Sequence, residues 1–129
     1  MKQQMVLIAE DEPKIARLLE EYLREHGDFQ TAILHRGEEV PHWVARHAPD
    51  LVLLDVMLPG LDGLEICKQI RKESTVPIIM ITGFATIESA VAAVKEGAFD
   101  YLPKDFSVDQ LRVAVERATQ RNANPRDGE

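Results

Sequence analysis

Five side chains of this 129-residue sequence could carry chemistry together: Glu10, Asp11, Asp55, Thr82 and Lys104. Each ends or follows a short strand-like run, and an open α/β sheet binds its ligands beyond the carboxyl ends of its strands. Glu10, Asp11 and Asp55 would bring three negative charges to that edge, with one positive charge from Lys104. The excess is costly unless a proton or a cation meets it. All the offered donors are oxygens, which suits a hard divalent ion, Mg²⁺ above all, that keeps several waters. Such an ion leaves positions open for phosphoryl oxygens. Asp55 then reads as a nucleophile, because a carboxylate can accept phosphate as an aspartyl phosphate. Mg²⁺ and Lys104 would offset charge on the equatorial oxygens, and Thr82 could donate its hydroxyl to one of them.

A plainer reading stands beside this one. Asp11 and Glu12 precede Pro13 and could serve only to cap the first helix and complement its dipole. Asp55 resists that reading, because Val56, Met57 and Leu58 follow it and no helix starts there to be capped.

The elements that must position these groups are legible as alternating periods. Met5-Val6-Leu7-Ile8-Ala9, Leu51-Val52-Leu53-Leu54 and Pro77-Ile78-Ile79-Met80-Ile81 are apolar throughout, as strands buried on both faces are. Phe29 to Ile33 and Phe99 to Leu102 are weaker strands. Helical stripes lie between them: Ile15, Leu18, Leu19, Tyr22 and Leu23; Val40, Trp43, Val44 and His47; Gly63, Ile66, Cys67 and Ile70; and Ile87, Ala90, Val91 and Val94. Ser107, with Gln110 three residues on, predicts a capping box that opens a last helix with the stripe Val108, Leu111, Val115 and Ala118. Strict alternation of five strands and five helices implies one α/β domain with a parallel sheet and right-handed crossovers. The domain is expected over residues 1–121, with 122–129 a polar tail or truncated linker.

Composition bounds the class. At 45% hydrophobic and 29% charged, the chain reads as an ordinary soluble globular domain. No apolar run reaches the roughly 20 residues that span a bilayer, and the start is too short for a signal peptide's apolar region. The single cysteine, Cys67, excludes an internal disulfide framework and points to a reducing, cytoplasmic setting. Fifteen Lys and Arg against 22 Asp and Glu leave a net charge of −7, a poor balance for gripping nucleic acid, so no direct nucleic-acid binding is expected. His26, His35, His42 and His47 show no metal spacing, while Cys67 and Trp43 read as packing residues.

Taken together, these residues closely resemble the response-regulator receiver domain of two-component signalling. Ile8-Ala9-Glu10-Asp11-Glu12, the segment Leu53 to Gly63 with Pro59-Gly60 and Asp62-Gly63, and Gly97-Ala98-Phe99-Asp100-Tyr101-Leu102-Pro103-Lys104 carry the resemblance, which covers about residues 4–120. It implies the flavodoxin-like (βα)5 doubly wound sheet of five parallel strands in the order 2-1-3-4-5. It also implies that Asp55 is the phosphoacceptor for a sensor histidine kinase and that Asp11, Asp55 and the backbone carbonyl of Met57 hold Mg²⁺, with Glu10 nearby. Lys104 maps to the family's lysine, and Thr82 and Tyr101 to its switch pair. Phosphorylation would draw in the Thr82 hydroxyl, turn Tyr101 inward, and repack the face of the fourth helix, fifth strand and fifth helix for dimerisation or an output partner. Catalysis is expected only of the domain's own phosphorylation and dephosphorylation.

Two features qualify the resemblance. The family usually has proline after the lysine, with a cis peptide between them, whereas Asp105 follows Lys104 here. Either the loop becomes trans and shifts Lys104, or it holds a cis bond that costs about 3–4 kcal/mol without proline. Asp105 could also pair with Lys104 and divert its charge, which would weaken phosphorylation relative to an Asp105→Pro variant and leave a module that signals by binding alone. Met57 and Phe84 flank the family's path for attacking water, and their bulk implies slow self-dephosphorylation.

Two other classes are disfavoured. An aspartyl-nucleophile phosphohydrolase would need a second acid two residues past Asp55, where Met57 stands. A flavin or dinucleotide binder needs a phosphate-cradling loop after the first strand, where Glu10-Asp11-Glu12 would repel phosphate. Larger members of the family attach an output domain. The first half resembles receivers of winged-helix regulators, and Thr82 to Phe106 resembles those of ATPase-type regulators.

Overall fold

The three runs that are apolar throughout form the three central strands of a parallel sheet, where helices cover both faces and leave no side for water. The computed structural model describes residues 3–83 and 86–123, with side chains as far as Thr119. The strands are β1 (Met5–Ala9), β2 (Gln30–Leu34), β3 (Leu51–Asp55), β4 (Ile78–Thr82) and β5 (Asp100–Pro103). They lie in the order β2-β1-β3-β4-β5, all parallel, as in the flavodoxin-like fold. The helices are α1 (Pro13–Gly27), α2 (Val40–His47), α3 (Gly63–Arg71), α4 (Ile87–Lys95) and α5 (Val108–Ala123). A 3₁₀ turn over Gly37–Glu39, not foreseen in the sequence, leads into α2.

Alternation along the strands builds two cores. Val6, Ile8, Leu51, Leu53, Ile79 and Ile81 face α1 and α5, where Ala16, Leu19, Leu23, Leu111 and Val115 are buried. Leu7, Ala9, Val52, Leu54, Ile78 and Met80 face the other helices, meeting Val44, Ile66, Cys67, Ile70 and Ala93. Fully burying a Val, Leu or Ile side chain contributes about 1.5–3 kcal/mol, so the β1–β3–β4 centre is the main stabilising element.

Local signals set the helix starts. Pro13 opens α1, where a missing N–H costs nothing. The Asp62 side chain caps α3 by accepting from the Glu65 N–H at 3.0 Å. Thr86 and Ser89 form a reciprocal capping box on α4. Ser107 and Gln110 do the same for α5, as the sequence predicts.

Four stripe expectations need correction. Ile87, Val91 and Val94 of α4 face solvent, and Ile87 is 84% exposed. The inward side of α4 is instead made of small residues, with Ala93 fully buried, so that helix lies against the sheet through its alanines. Leu18 of α1, His47 of α2 and Val108 of α5 are likewise exposed. α5 also runs to Ala123, past the boundary expected at residue 121, while 124–129 lie outside the described residues.

Candidate functional site

Strand parity decides which side chains can meet at the carboxyl edge. Val6 and Ile8, Leu51 and Leu53, and Leu102 belong to the α1/α5 core. The same alternation carried one step further puts Glu10, Asp55 and Lys104 on that side. Tyr101 packs on the opposite core, and Thr82 continues the parity of Ile78 and Met80. Register brings the ends level, since Ala9 lies beside Leu54, Asp55 beside Ile81 and Thr82 beside Pro103.

The result is a cluster of acids around one ammonium. Lys104 Nζ donates to Glu12 Oε2 at 2.6 Å, Asp55 Oδ2 at 3.1 Å and Glu10 Oε2 at 3.3 Å. Asp55, 1% exposed, also accepts from the Met57 N–H through Oδ1 at 2.9 Å. Glu10 is equally buried; its Oε2 accepts from the Glu12 N–H at 3.0 Å, and its Oε1 has no hydrogen-bond partner among the described residues. Thr82 is buried at the end of β4, and its carbonyl accepts from the Lys104 N–H at 2.7 Å.

Electrostatics follow from burial. Desolvation pushes the Glu10 carboxyl up to about 7, helped by the charge of Asp55 and opposed by the Glu12 N–H and by Lys104. A proton on Glu10 would also let it donate toward Asp55. Burial alone would lower Lys104, but hydrogen bonds to Glu12 and Asp55 and the charges of Asp55 and Glu10 outweigh it and hold the ammonium above the usual lysine range.

Carboxylate oxygens of Glu10, Asp11 and Asp55 lie within 4.8 Å of one another. Asp11 is exposed, so the cluster opens to solvent on its side. An all-oxygen donor set with a buried, unpartnered Glu10 Oε1 fits a small hard cation.

The loop after Asp55 is held by its neighbours. Val56 N–H donates to Ile81 O, Gly63 N–H to Val56 O, and Gly37 N–H to Pro59 O. A Cβ at Gly63 would stand 2.7 Å from the Val56 Cα, so only glycine lets α3 start this close to the strand end.

The expected departure at Asp105 resolves toward the trans alternative. No cis peptide occurs among the described residues, so Lys104–Asp105 is trans, in a turn. Lys104 is nevertheless not drawn away: its N–H is fixed on Thr82 and its Nζ reaches Asp55. Among the described residues its ion pairs are with Glu10, Glu12 and Asp55, not with Asp105, so the expected diversion of charge is corrected.

Two residues of the site escaped the sequence reading. Glu12 occupies the N-cap of α1 but makes no side-chain cap bond there; its carboxylate crosses to Lys104. Ser89, whose only sequence signal is its place three residues after Thr86, meets the Tyr101 hydroxyl at 2.6 Å. Met57, the residue expected to lend a carbonyl, is 62% exposed in the turn beside Asp55. Phe84, expected to flank the water path with it, lies outside the described residues.

Comparisons with known proteins bear on the family and the fold. A family model described as "Response regulator receiver domain" matches residues 6–116. The "Transcriptional regulatory protein BaeR" of Escherichia coli is 40% identical over 116 residues, covering 90% of this chain and 48% of that protein. The "DNA-binding response regulator MtrA" of Mycolicibacterium smegmatis is 38% identical over 119 residues, covering 92% and 52%. The chain thus spans about half the length of these relatives. The BeF3-activated N-terminal receiver domain of RstA from Klebsiella pneumoniae superposes with a TM-score of 0.85 at 31% identity, over 91% of this chain and 99% of that one.

Proposed function

The chain belongs to the response-regulator receiver family, and from that premise we propose that Asp55 accepts a phosphoryl group from a sensor histidine kinase and that Thr82 and Tyr101 carry the signal outward. The observation that supports this most is the state of Asp55. It is buried at a strand end, one oxygen is held by Lys104 and the other by a backbone N–H, and the carboxylates of Glu10 and Asp11 adjoin it.

In the proposed step an Asp55 oxygen attacks phosphorus, the bond to the donor's imidazole nitrogen breaks, and that nitrogen keeps the electron pair. Lys104, already hydrogen-bonded to Asp55, offsets charge on the transferred oxygens. Thr82, one residue past the neighbour of Asp55 on β4, supplies a hydroxyl to one of them. Mg²⁺ held by Asp11, Asp55 and the Met57 carbonyl, with Glu10 behind them, would supply charge neutralisation at the phosphoryl group. Exposed Met57 screens the approach of water to Asp55.

The output we propose is association through the face of α4, β5 and α5. Ile87, Val91 and Val94 expose an apolar stripe on α4, next to the Tyr101–Ser89 contact. A second copy of the chain or an output domain would cover it. MtrA, named a DNA-binding response regulator, and BaeR, named a transcriptional regulatory protein, are about twice as long, and a net charge of −7 suits a chain that controls such an output and leaves DNA contact to it.

The test is incubation with phosphoramidate and Mg²⁺ followed by intact mass. One added phosphoryl group, absent from Asp55→Asn and absent without Mg²⁺, is the expected result. A phosphorylated Asp55→Asn protein would contradict the assignment.

A further inference from the structure

The Lys104 ammonium has three N–H donors, and three carboxylates take them. Two belong to the buried cluster. The third and shortest bond, 2.6 Å, goes to Glu12, whose side chain is 55% exposed and sits at the N-cap of α1. A carboxylate there would ordinarily complement the helix N-terminus, yet this one makes no cap bond and spans to the far side of the site.

The turn around Lys104 holds its backbone but not its side chain. Asp105, which stands where the family usually has a φ-fixing proline, is exposed, and the peptide before it is trans. Its own backbone is tied from Lys104 N–H to Thr82 O, and Phe106 N–H donates to Pro103 O across the turn. Beyond those ties runs a four-carbon stem whose flexibility must be removed from the far end.

We propose that Glu12 is a positioning residue for Lys104, aiming its ammonium at Asp55 in a loop that lacks the proline. This rests on the reading of Asp55 as phosphoacceptor. Glu12 touches no reacting atom; it acts by fixing the lysine that does. Because its role depends on reach, a carboxylate one methylene shorter cannot perform it. Aspartate at this position is instead a good N-cap and turns to the helix's own N–H groups. Glutamine keeps the reach and an acceptor oxygen while removing the charge.

Glu12→Asp and Glu12→Gln therefore separate position from charge. The first readout is the slowly exchanging ammonium signal of Lys104 in heteronuclear NMR, assigned by its loss in Lys104→Ala. The second is the rate of Mg²⁺-dependent phosphorylation by phosphoramidate. Glu12→Asp is expected to lose the signal and slow about tenfold, while Glu12→Gln keeps it and stays within about twofold of the natural sequence. A signal that persists in Glu12→Asp, or one that vanishes in Glu12→Gln, would overturn the proposal. Should the unaltered chain take no phosphoryl group, the reading of Asp55 fails, whereas the ammonium signal still decides the role of Glu12.

Discussion

The Tyr101 hydroxyl lies 2.6 Å from Ser89 Oγ, and the same Ser89 closes the capping box of α4 with Thr86. The proposed switch tyrosine and the first turn of α4 are therefore one hydrogen-bonded unit. Turning Tyr101 inward would cost that bond and loosen the cap at once, which gives a local route from Thr82 to the exposed stripe of α4. Ser89→Ala is expected to destabilise the α4 cap by about 1 kcal/mol. Hydrogen exchange of the first α4 amides should then quicken while β1 and β3 stay protected. Unchanged exchange in α4 would remove Ser89 from the switch.

Burial of Glu10 makes the metal-free fold sensitive to pH. Its carboxyl titrates near 7 when folded, against an ordinary value of 4.5. A folded state that holds a proton more tightly than the unfolded chain is favoured while the proton is present, and it loses that advantage as pH rises from the lower value through the higher. Urea unfolding without divalent ions should show lower stability at about pH 8 than at about pH 5 from this group, and Glu10→Gln should flatten the difference. An identical slope in the variant would rule out Glu10 as its source.

Gly63 permits a close approach that no other residue allows. Gly63→Ala would push a methyl group against the Val56 backbone, which stands 2.7 Å from the ideal Cβ. Overpacking of this kind costs about 1–3 kcal/mol. Denaturant unfolding should read that loss, and Mg²⁺ titration should weaken as the Asp55–Met57 turn moves.

The α4 stripe separates folding from association. Ile87 and Val91 are exposed, so Val91→Lys should change monomer stability by less than about 0.5 kcal/mol. Sedimentation of the phosphorylated protein should nevertheless show weaker self-association. Undiminished association would place the contact on another face.

Much of this was legible because period and parity survive in the residue order. The runs at Val6, Val52 and Ile79 could only be two-faced strands, and the groups beyond them had to share an edge. Glu10, Asp11, Asp55 and Thr82 followed from those runs, and Lys104 from the weaker run Phe99 to Leu102. Ile87, Val91 and Val94 misled, because a helical period shows that a stripe exists and not which way it faces. In α4 the alanines decided the question by allowing closer packing. Glu12 and Ser89 stayed hidden for a different reason. Lys104, the partner of Glu12, is distant from it in sequence, and Tyr101, the partner of Ser89, lies beyond the end of α4. An acid before Pro13 reads as a dipole complement, and a serine three past Thr86 as part of a cap.

The central claim is that Asp55 carries the phosphoryl group. Borohydride reduction of the phosphoramidate-treated protein converts an aspartyl phosphate to homoserine, which peptide mass spectrometry locates. Homoserine at position 55 and nowhere else is the expected result. Reduction at Glu10 or Asp11, or a phosphoryl group that resists borohydride, would contradict the account.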